Sequence, residues 1–290
     1  MSQASKIFCE NCKIYDAKRD AGLTQPEDVV AHFDMKYAKR DDYNTIDVYY
    51  PVGTSHKLPT ILNVHGGGYV YGDTKLYQYY CMNLAQRGFA VVNFNYRLAP
   101  DYQFPAPLED INEALEWIVS NAGLYYLDTE NVFIVGDSAG AQLASQYGVI
   151  YSNPEYAKLF GINVPDVKIR ALGLNCGLYD LKSLLPTCSK DDFKIIDYFT
   201  PEFARFGDML DPLSYLDENY PPSHLLSAPN DFLCNLCQPM AEHINSKGAY
   251  AEYKIYGDEN YGHVFHVNIK TELAKIANDE QCAFFRRYIV

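Results

Sequence analysis

"NVFIVGDSAGAQ", residues 131–142, runs apolar and β-branched residues into a serine fenced by two glycines, Gly136-Asp137-Ser138-Ala139-Gly140. The run reads as a buried strand, and the residues from 139 to 152 carry a helical pattern. A G-x-S-x-G stretch is weak by itself, because glycine and serine are common. Set between a strand and a helix, it describes a sharp elbow that lifts the Ser138 hydroxyl clear of the sheet and strains its backbone. Gly136 and Gly140 then let strand and helix approach where a side chain would clash. The helix opening at Ala139 aims free amides and its dipole at whatever the serine attacks. The plainer alternative is a tight turn carrying a solvent-exposed serine.

Working outward, strand-like and helix-like segments alternate from about residue 42. Strands are expected at 45–50 (TIDVYY), 60–65 (TILNVH), 89–95, 132–136, 169–175, 224–228 and 251–256. FDMKYAKR is read as an antiparallel edge partner of TIDVYY across the turn RDDYN. Helices are expected at 75–87, 107–121, 139–152, 235–247 and 269–286. The second opens at Pro107 and carries an apolar stripe of Leu108, Ile111, Leu115 and Ile118. This alternation predicts an α/β architecture, a mostly parallel sheet with helices on both faces. Residues 1–35 and 181–222 break the rhythm. They are read as one cap folded over the carboxyl ends of the strands within a single 290-residue domain.

His65-Gly66-Gly67-Gly68 follows a buried strand, and three consecutive glycines are entropically costly. An oxyanion hole explains them: Gly67 and Gly68 would donate backbone N–H groups to a developing negative oxygen, with Ala139 N–H as the third donor. A phosphate loop would need GxxxxGK[ST], or GxGxxG opening a helix, and neither is present. His65 is read as shaping this loop and not as a base.

A serine hydroxyl needs a base, and the base an orienting carboxylate, in the chain order Ser, Asp/Glu, His. Asp231 lies just beyond a strand in SHLLSAPNDFL. Asp217 and Glu218 sit in the irregular segment, and Asp258 beside Glu259 is a rival acid. Three histidines follow Asp231. His243 falls mid-helix, His263 in GDENYGHVFHV sits on a loop after the last strand, and His266 is expected to enter the last helix. Position favours Asp231 and His263.

The chain has 290 residues and a formal net charge of −13, which argues against nucleic acid and anionic membrane surfaces as partners. The N-terminal residues lack a signal-like apolar core, and no stretch is long and apolar enough for a membrane span, so a cytoplasmic protein is expected. Eight cysteines are irregularly spaced. The pairs Cys9/Cys12 and Cys234/Cys237 have zinc-type CxxC spacing, but are read as small buried hydrophobes, with no metal. The edge strand and last helix are candidate surfaces for a homodimer.

HGGGYVYGD (65–73), NYRLAPDYQFPAPLED (95–110) with Trp117 after it, GDSAG (136–140), and Asp231 with GHVF (262–265) together resemble the hormone-sensitive-lipase-like branch of the α/β-hydrolase esterases. The resemblance covers about residues 45–285. It implies an α/β-hydrolase fold with an eight-stranded central sheet, and a cap built from the N-terminus and a later insertion. It implies cofactor-free and metal-free hydrolysis of small carboxylic esters, usually with short acyl chains. The family's triad maps onto Ser138, Asp231 and His263, its oxyanion hole onto Gly67, Gly68 and Ala139, and Arg97 and Asp110 anchor loops near the site. The sequence departs from the family at Cys234 and Asn235, where charged residues are usual, and in 181–222.

The expected chemistry is acyl transfer through an acyl-enzyme, blocked in acid when the base is protonated. Two rivals stand beside it. An amidase or formamidase would use the same triad, and a ligand-binding receptor would keep the fold without the chemistry. The tyrosines of YVYGDTKLYQYY either line an acyl or sugar-ester pocket or pack in the core.

Overall fold

The computed structural model describes residues 1–38, 43–189 and 191–290. Its elements, in chain order, begin with α1 (Gln3–Asp20), β1 (Val29–Lys36), β2 (Thr45–Pro51), β3 (Leu58–Val64), α2 (Thr74–Ala85), β4 (Ala90–Phe94) and α3 (Ala106–Asn121). Then come β5 (Leu127–Asp137), α4 (Ala139–Ser152), α5 (Pro154–Phe160), β6 (Ile169–Asn175), α6 (Leu181–Leu184) and α7 (Pro212–Tyr215). The chain closes with β7 (Ser223–Ser227), α8 (Cys234–Ser246), β8 (Ala251–Ile255) and α9 (Glu272–Arg286). The eight strands form one sheet in the order β1-β2-β4-β3-β5-β6-β7-β8. β2 is antiparallel to both of its neighbours, β1 and β4, and every pairing from β4 to β8 is parallel.

Strand alternation sends successive side chains into two separate cores. Leu62, Val64, Val132 and Ile134 face one side, with Leu108 and Leu115 of α3 and Leu143 and Tyr147 of α4. Ile61, Phe133 and Val135 face the other, with Met82 and Leu84 of α2 and Phe284 and Phe285 of α9. Both faces are apolar, so the central strands read as near-continuous hydrophobic runs, as expected of a sheet covered on both sides. Truncating a side chain such as Leu62, which is fully buried, would cost about 2–5 kcal/mol. Arg97 and Asp110 lock the loop after β4 to α3. The guanidinium Nε lies 2.8 Å from Asp110 Oδ1, and Asp110 Oδ2 accepts the Arg97 amide at 2.7 Å.

Several boundaries differ from the sequence expectation. β1 begins at Val29, four residues before FDMKYAKR, because only Val29 of this edge strand is buried and no apolar alternation marks it. Its antiparallel pairing with β2 is present, Lys36 opposite Thr45. Lys39 to Asp42, the end of FDMKYAKR and most of the RDDYN turn, lie outside the described residues. The last helix starts at Glu272, not 269, where the Thr271 side chain accepts the Ala274 amide. α5 is not among the expected helices although Asn153-Pro154 carries a start signal: the Asn153 side chain caps the Glu155 and Tyr156 amides and Pro154 fills the first turn.

α1 is a second helix beyond those expected. Its buried residues are Ser5, Cys9, Asp16 and Arg19, so its docking face is polar and leaves no apolar period. Asp197, in the helical turn Lys194–Phe199, accepts the Ser2 amide at 3.0 Å, the Ser2 hydroxyl at 2.7 Å and the Ser5 hydroxyl. At the other end, Tyr71 donates to Asp16 at 2.9 Å and Arg19 donates to the Leu76 carbonyl at 2.7 Å. Among the described residues, no helix is long and apolar enough to cross a membrane.

Candidate active site

β5 lies between β3 and β6 and ends at Asp137, and α4 begins at Ala139. Ser138 between them has φ 54° and ψ −118°, a conformation few side-chain-bearing residues adopt. Its amide donates to the Asn175 carbonyl at the end of β6, 2.9 Å away. The flanking glycines are needed for space. A Cβ on Gly136 would overlap the Gly140 carbonyl oxygen, and one on Gly140 would overlap that of Val64.

His263 reaches this serine from the loop after β8. Its Nε2 lies 2.8 Å from Ser138 Oγ and its Nδ1 2.7 Å from Asp231 Oδ1. Asp231 follows β7 and is buried; it also accepts the Ser227 hydroxyl at 2.6 Å and the Leu233 amide at 3.0 Å. The loops bearing Asp231 and His263 are tied together, because the Asn230 amide donates to the Tyr261 carbonyl at 3.0 Å. Burial alone would push the Asp231 carboxyl up. The His263 contact, the Ser227 hydroxyl and the Leu233 amide outweigh burial and hold it at about 2. With Asp231 ionised, Nδ1 is the donor and Nε2 is free to accept from the serine.

The rival histidines are elsewhere. His266 sits in the short turn Phe265–Val267, not in the last helix as expected, and is fully buried against Tyr80. Burial depresses its value to about 3. His243 bonds the Leu213 carbonyl at 3.1 Å. His65 donates Nδ1–H to the Gly66 carbonyl at 2.7 Å and stacks on Tyr96 with ring centroids 4.1 Å apart, which shapes the glycine loop.

Gly67 has φ 117°, open only to glycine, and a Cβ there would overlap the Tyr71 carbonyl. Among the described residues the Gly67 and Gly68 amides donate to nothing, and with Ala139 they border a cavity of about 960 Å³ that contains Ser138 and His263. Phe8 of α1 stacks on Phe193 at 4.8 Å directly above Gly68. Tyr69, Tyr71 and Tyr77 of the tyrosine-rich stretch line the same cavity, whereas Tyr80 packs in the core. Asp137, beside the serine, accepts the Tyr77 hydroxyl at 2.8 Å. Burial, only partly opposed by that bond and by the charge of His263, raises its carboxyl to about 6.

All eight cysteines are free thiols. The two CxxC pairs do not gather: among the described residues, the one group of metal-ligating atoms mutually within 4.8 Å is Cys176, Asp231 and His263.

A parallel sheet of this order, with a serine elbow after its central strand and acid and base on later loops, defines an α/β-hydrolase. A family model described as BD-FAE matches residues 46–244, and the chain belongs to that family, within the hormone-sensitive-lipase-like α/β-hydrolases. Esterase B of Lactobacillus rhamnosis, solved inhibited by a C4-C4 SN3 tributyrin phosphonate, superposes with a TM-score of 0.88 at 26% identity, over 98% of this chain and 94% of that one. Among curated relatives, ethyl acetate hydrolase of Pseudomonas putida is 34% identical over 43% of this chain and 40% of its own length. Versiconal hemiacetal acetate esterase of Dothistroma septosporum is 37% identical over 34% and 30%, and arylacetamide deacetylase of Oryctolagus cuniculus 34% identical over 49% and 36%. The chain thus matches well under half the length of these three relatives.

Proposed function

We propose that the protein hydrolyses carboxylic esters with short acyl groups through an acyl-enzyme on Ser138. The observation that carries this reading is the unbroken line from Asp231 through His263 to Ser138, opening on a cavity bordered by glycine amides that are unengaged among the described residues. His263 Nε2 takes the serine proton as Oγ attacks the ester carbonyl carbon. The carbonyl oxygen gains the electron pair and is held by the amides of Gly67, Gly68 and Ala139, each such donor being worth about 100- to 1,000-fold in rate. Collapse breaks the bond to the alcohol oxygen, which takes the proton from Nε2. Water then repeats the cycle on the acyl-serine and releases the acid. Asp231 stays ionised throughout and holds the ring tautomer.

Several observations favour a small acyl group. The Phe8–Phe193 pair closes down on Gly68, and two relatives are an ethyl acetate hydrolase and a hemiacetal acetate esterase. The cavity far exceeds an acetyl group, which leaves room for a large alcohol such as a sugar. We further propose that α1 and residues 181–222 act together as a cap on one hydrolase domain, joined through Asp197 and two serines, Ser2 just before α1 and Ser5 within it. An amidase reading has one observation in its favour, the relative named for arylacetamide.

The test compares kcat/KM on p-nitrophenyl esters of two to eight carbons with that on acetanilides, in wild type and Ser138→Ala. Hydrolysis that falls with chain length and vanishes in the variant is expected. Anilides cleaved faster than esters would favour the amidase. Failure of a fluorophosphonate to label Ser138 in the folded protein would favour a non-catalytic receptor.

A further inference from the structure

The proton that His263 takes from Ser138 must be handed to the leaving alcohol, so in the esterase reading, on which this inference rests, that alcohol oxygen lies within about 3 Å of Nε2. Whatever is bonded to that oxygen therefore begins beside the His263 ring. The side chain standing there is Phe232, its ring centroid 4.3 Å from that of His263 and tilted by 41°. Phe232 is 73% exposed, against 45% for Phe33, the next most exposed phenylalanine among the described residues.

The core does not call for this ring. A polar residue at an exposed turn would avoid leaving so much apolar surface in water. Nor is Phe232 on a loose loop. Asp231 donates its amide to the Ala228 carbonyl and accepts the Cys234 amide on its own, both at 3.0 Å, while its carboxylate takes the Leu233 amide. These bonds hold the turn that presents Phe232 as firmly as they hold the acid beside it. Asn230 and Asn260, both exposed, share the cavity rim with Phe232. Asn260 Nδ2 donates to Asp258 Oδ1 at 2.9 Å, which orients its amide. The rim near His263 thus offers an exposed aromatic ring and two side-chain amides, while Phe8 and Phe193 stack elsewhere on the same cavity.

We infer that Phe232, with the amides of Asn230 and Asn260, forms the subsite for the leaving alcohol, and that it selects alcohols built on a ring over open-chain ones. An aromatic face stacks on a π-face or on the C–H face of a pyranose, and amides pair with ring hydroxyls. The shared chemistry is a ring-bearing alcohol, from either a phenol or a sugar.

The experiment measures kcat and KM for the acetates of ethanol, of phenol and of a methyl glycopyranoside. It uses wild type, Phe232→Ala, Phe232→Tyr and the double variant Asn230→Ala/Asn260→Ala. In Phe232→Ala, KM for both ring acetates is expected to rise about 3- to 10-fold more than KM for ethyl acetate, the range a lost aromatic contact implies. Phe232→Tyr should restore it. A double variant that weakens only the glycoside acetate identifies a sugar as the alcohol, one that weakens both ring acetates leaves a phenol as its equal, and one that weakens neither removes the two amides from the subsite and overturns the inference as stated. Equal losses on all three esters, carried in kcat, would overturn the inference and make Phe232 a prop for His263; no change in the ratios would overturn it as well. Wild type that hydrolyses none of the three would remove the esterase reading itself, and the subsite with it. Hydrolysis with flat ratios removes the subsite alone.

Discussion

Gly140 of α4 and Val64 of β3 meet backbone to backbone: a Cβ on Gly140 would overlap the Val64 carbonyl oxygen and stand 2.8 Å from the His65 carbonyl carbon. This contact sets the height of the serine elbow over the glycine loop, since Val64 leads directly into His65-Gly66-Gly67-Gly68. Ser138 and the glycine loop that borders the same cavity are positioned by one interface.

Gly140→Ala should therefore damage both stability and catalysis. The clash is with backbone, which cannot rotate away, so a loss of about 2–4 kcal/mol in urea unfolding is expected, with a large fall in kcat as the loop shifts. Gly123→Ala is the control. Nothing lies within 4 Å of its Cβ position, and a change within about 0.5 kcal/mol is expected.

Ser138→Ala and His263→Ala should each lower kcat by roughly 10⁴- to 10⁶-fold on p-nitrophenyl acetate. Ser138→Gly should be equally inactive yet more stable than wild type by about 1 kcal/mol, because glycine accepts φ 54° and ψ −118° without strain. A Ser138→Gly protein with a lower melting temperature than wild type would contradict the strained elbow.

Asp137 should make stability depend on pH. Its carboxyl is raised to about 6 in the folded protein, chiefly by burial, so the folded state holds the proton more tightly than the unfolded chain does. That contribution is complete below about pH 4 and is lost as the pH rises through 6. Asp137→Asn keeps an acceptor for the Tyr77 hydroxyl and carries no charge. It should be more stable than wild type by about 2–3 kcal/mol at pH 8 and nearly equal to it at pH 4, in urea unfolding at both values. A difference independent of pH would show that the carboxylate is fully compensated where it sits.

Asp197→Ala should free the start of α1. The carboxyl is pushed up by burial but pulled further down by the Ser5 and Ser2 bonds, so its hold is present above the ordinary carboxylate range and lost as the pH falls below it. Faster tryptic cleavage at Lys6 and Lys13 and a several-fold rise in KM for p-nitrophenyl butyrate are expected. Unchanged cleavage would mean that Tyr71 and Leu76 alone fasten the helix.

Helix α4 begins and ends at the residues its pattern indicates, and β6 matches residue for residue, because both are surrounded by core and leave a strong apolar signature. The two elements that bear on the cavity most closely were the least legible. α1 docks through Ser5, Asp16 and Arg19, residues that on sequence alone belong to a solvent face. Residues 181–189 and 191–222 form short turns around Tyr198 and Phe199, which pack on Tyr69 of the glycine loop, a contact no local period encodes.

By itself, the order of residues determined the alternation of strands and helices, the elbow at Ser138 and the glycines facing it. Those features rest on local backbone geometry and side-chain periodicity, which act within a few residues. Only the tertiary structure decided which imidazole reaches the serine, that a polar helix lies over the cavity, and that an exposed phenylalanine stands against the His263 ring. Each of these joins residues far apart in the chain, His263 and Ser138 by 125 positions, and such distances close only when the sheet and its loops are assembled.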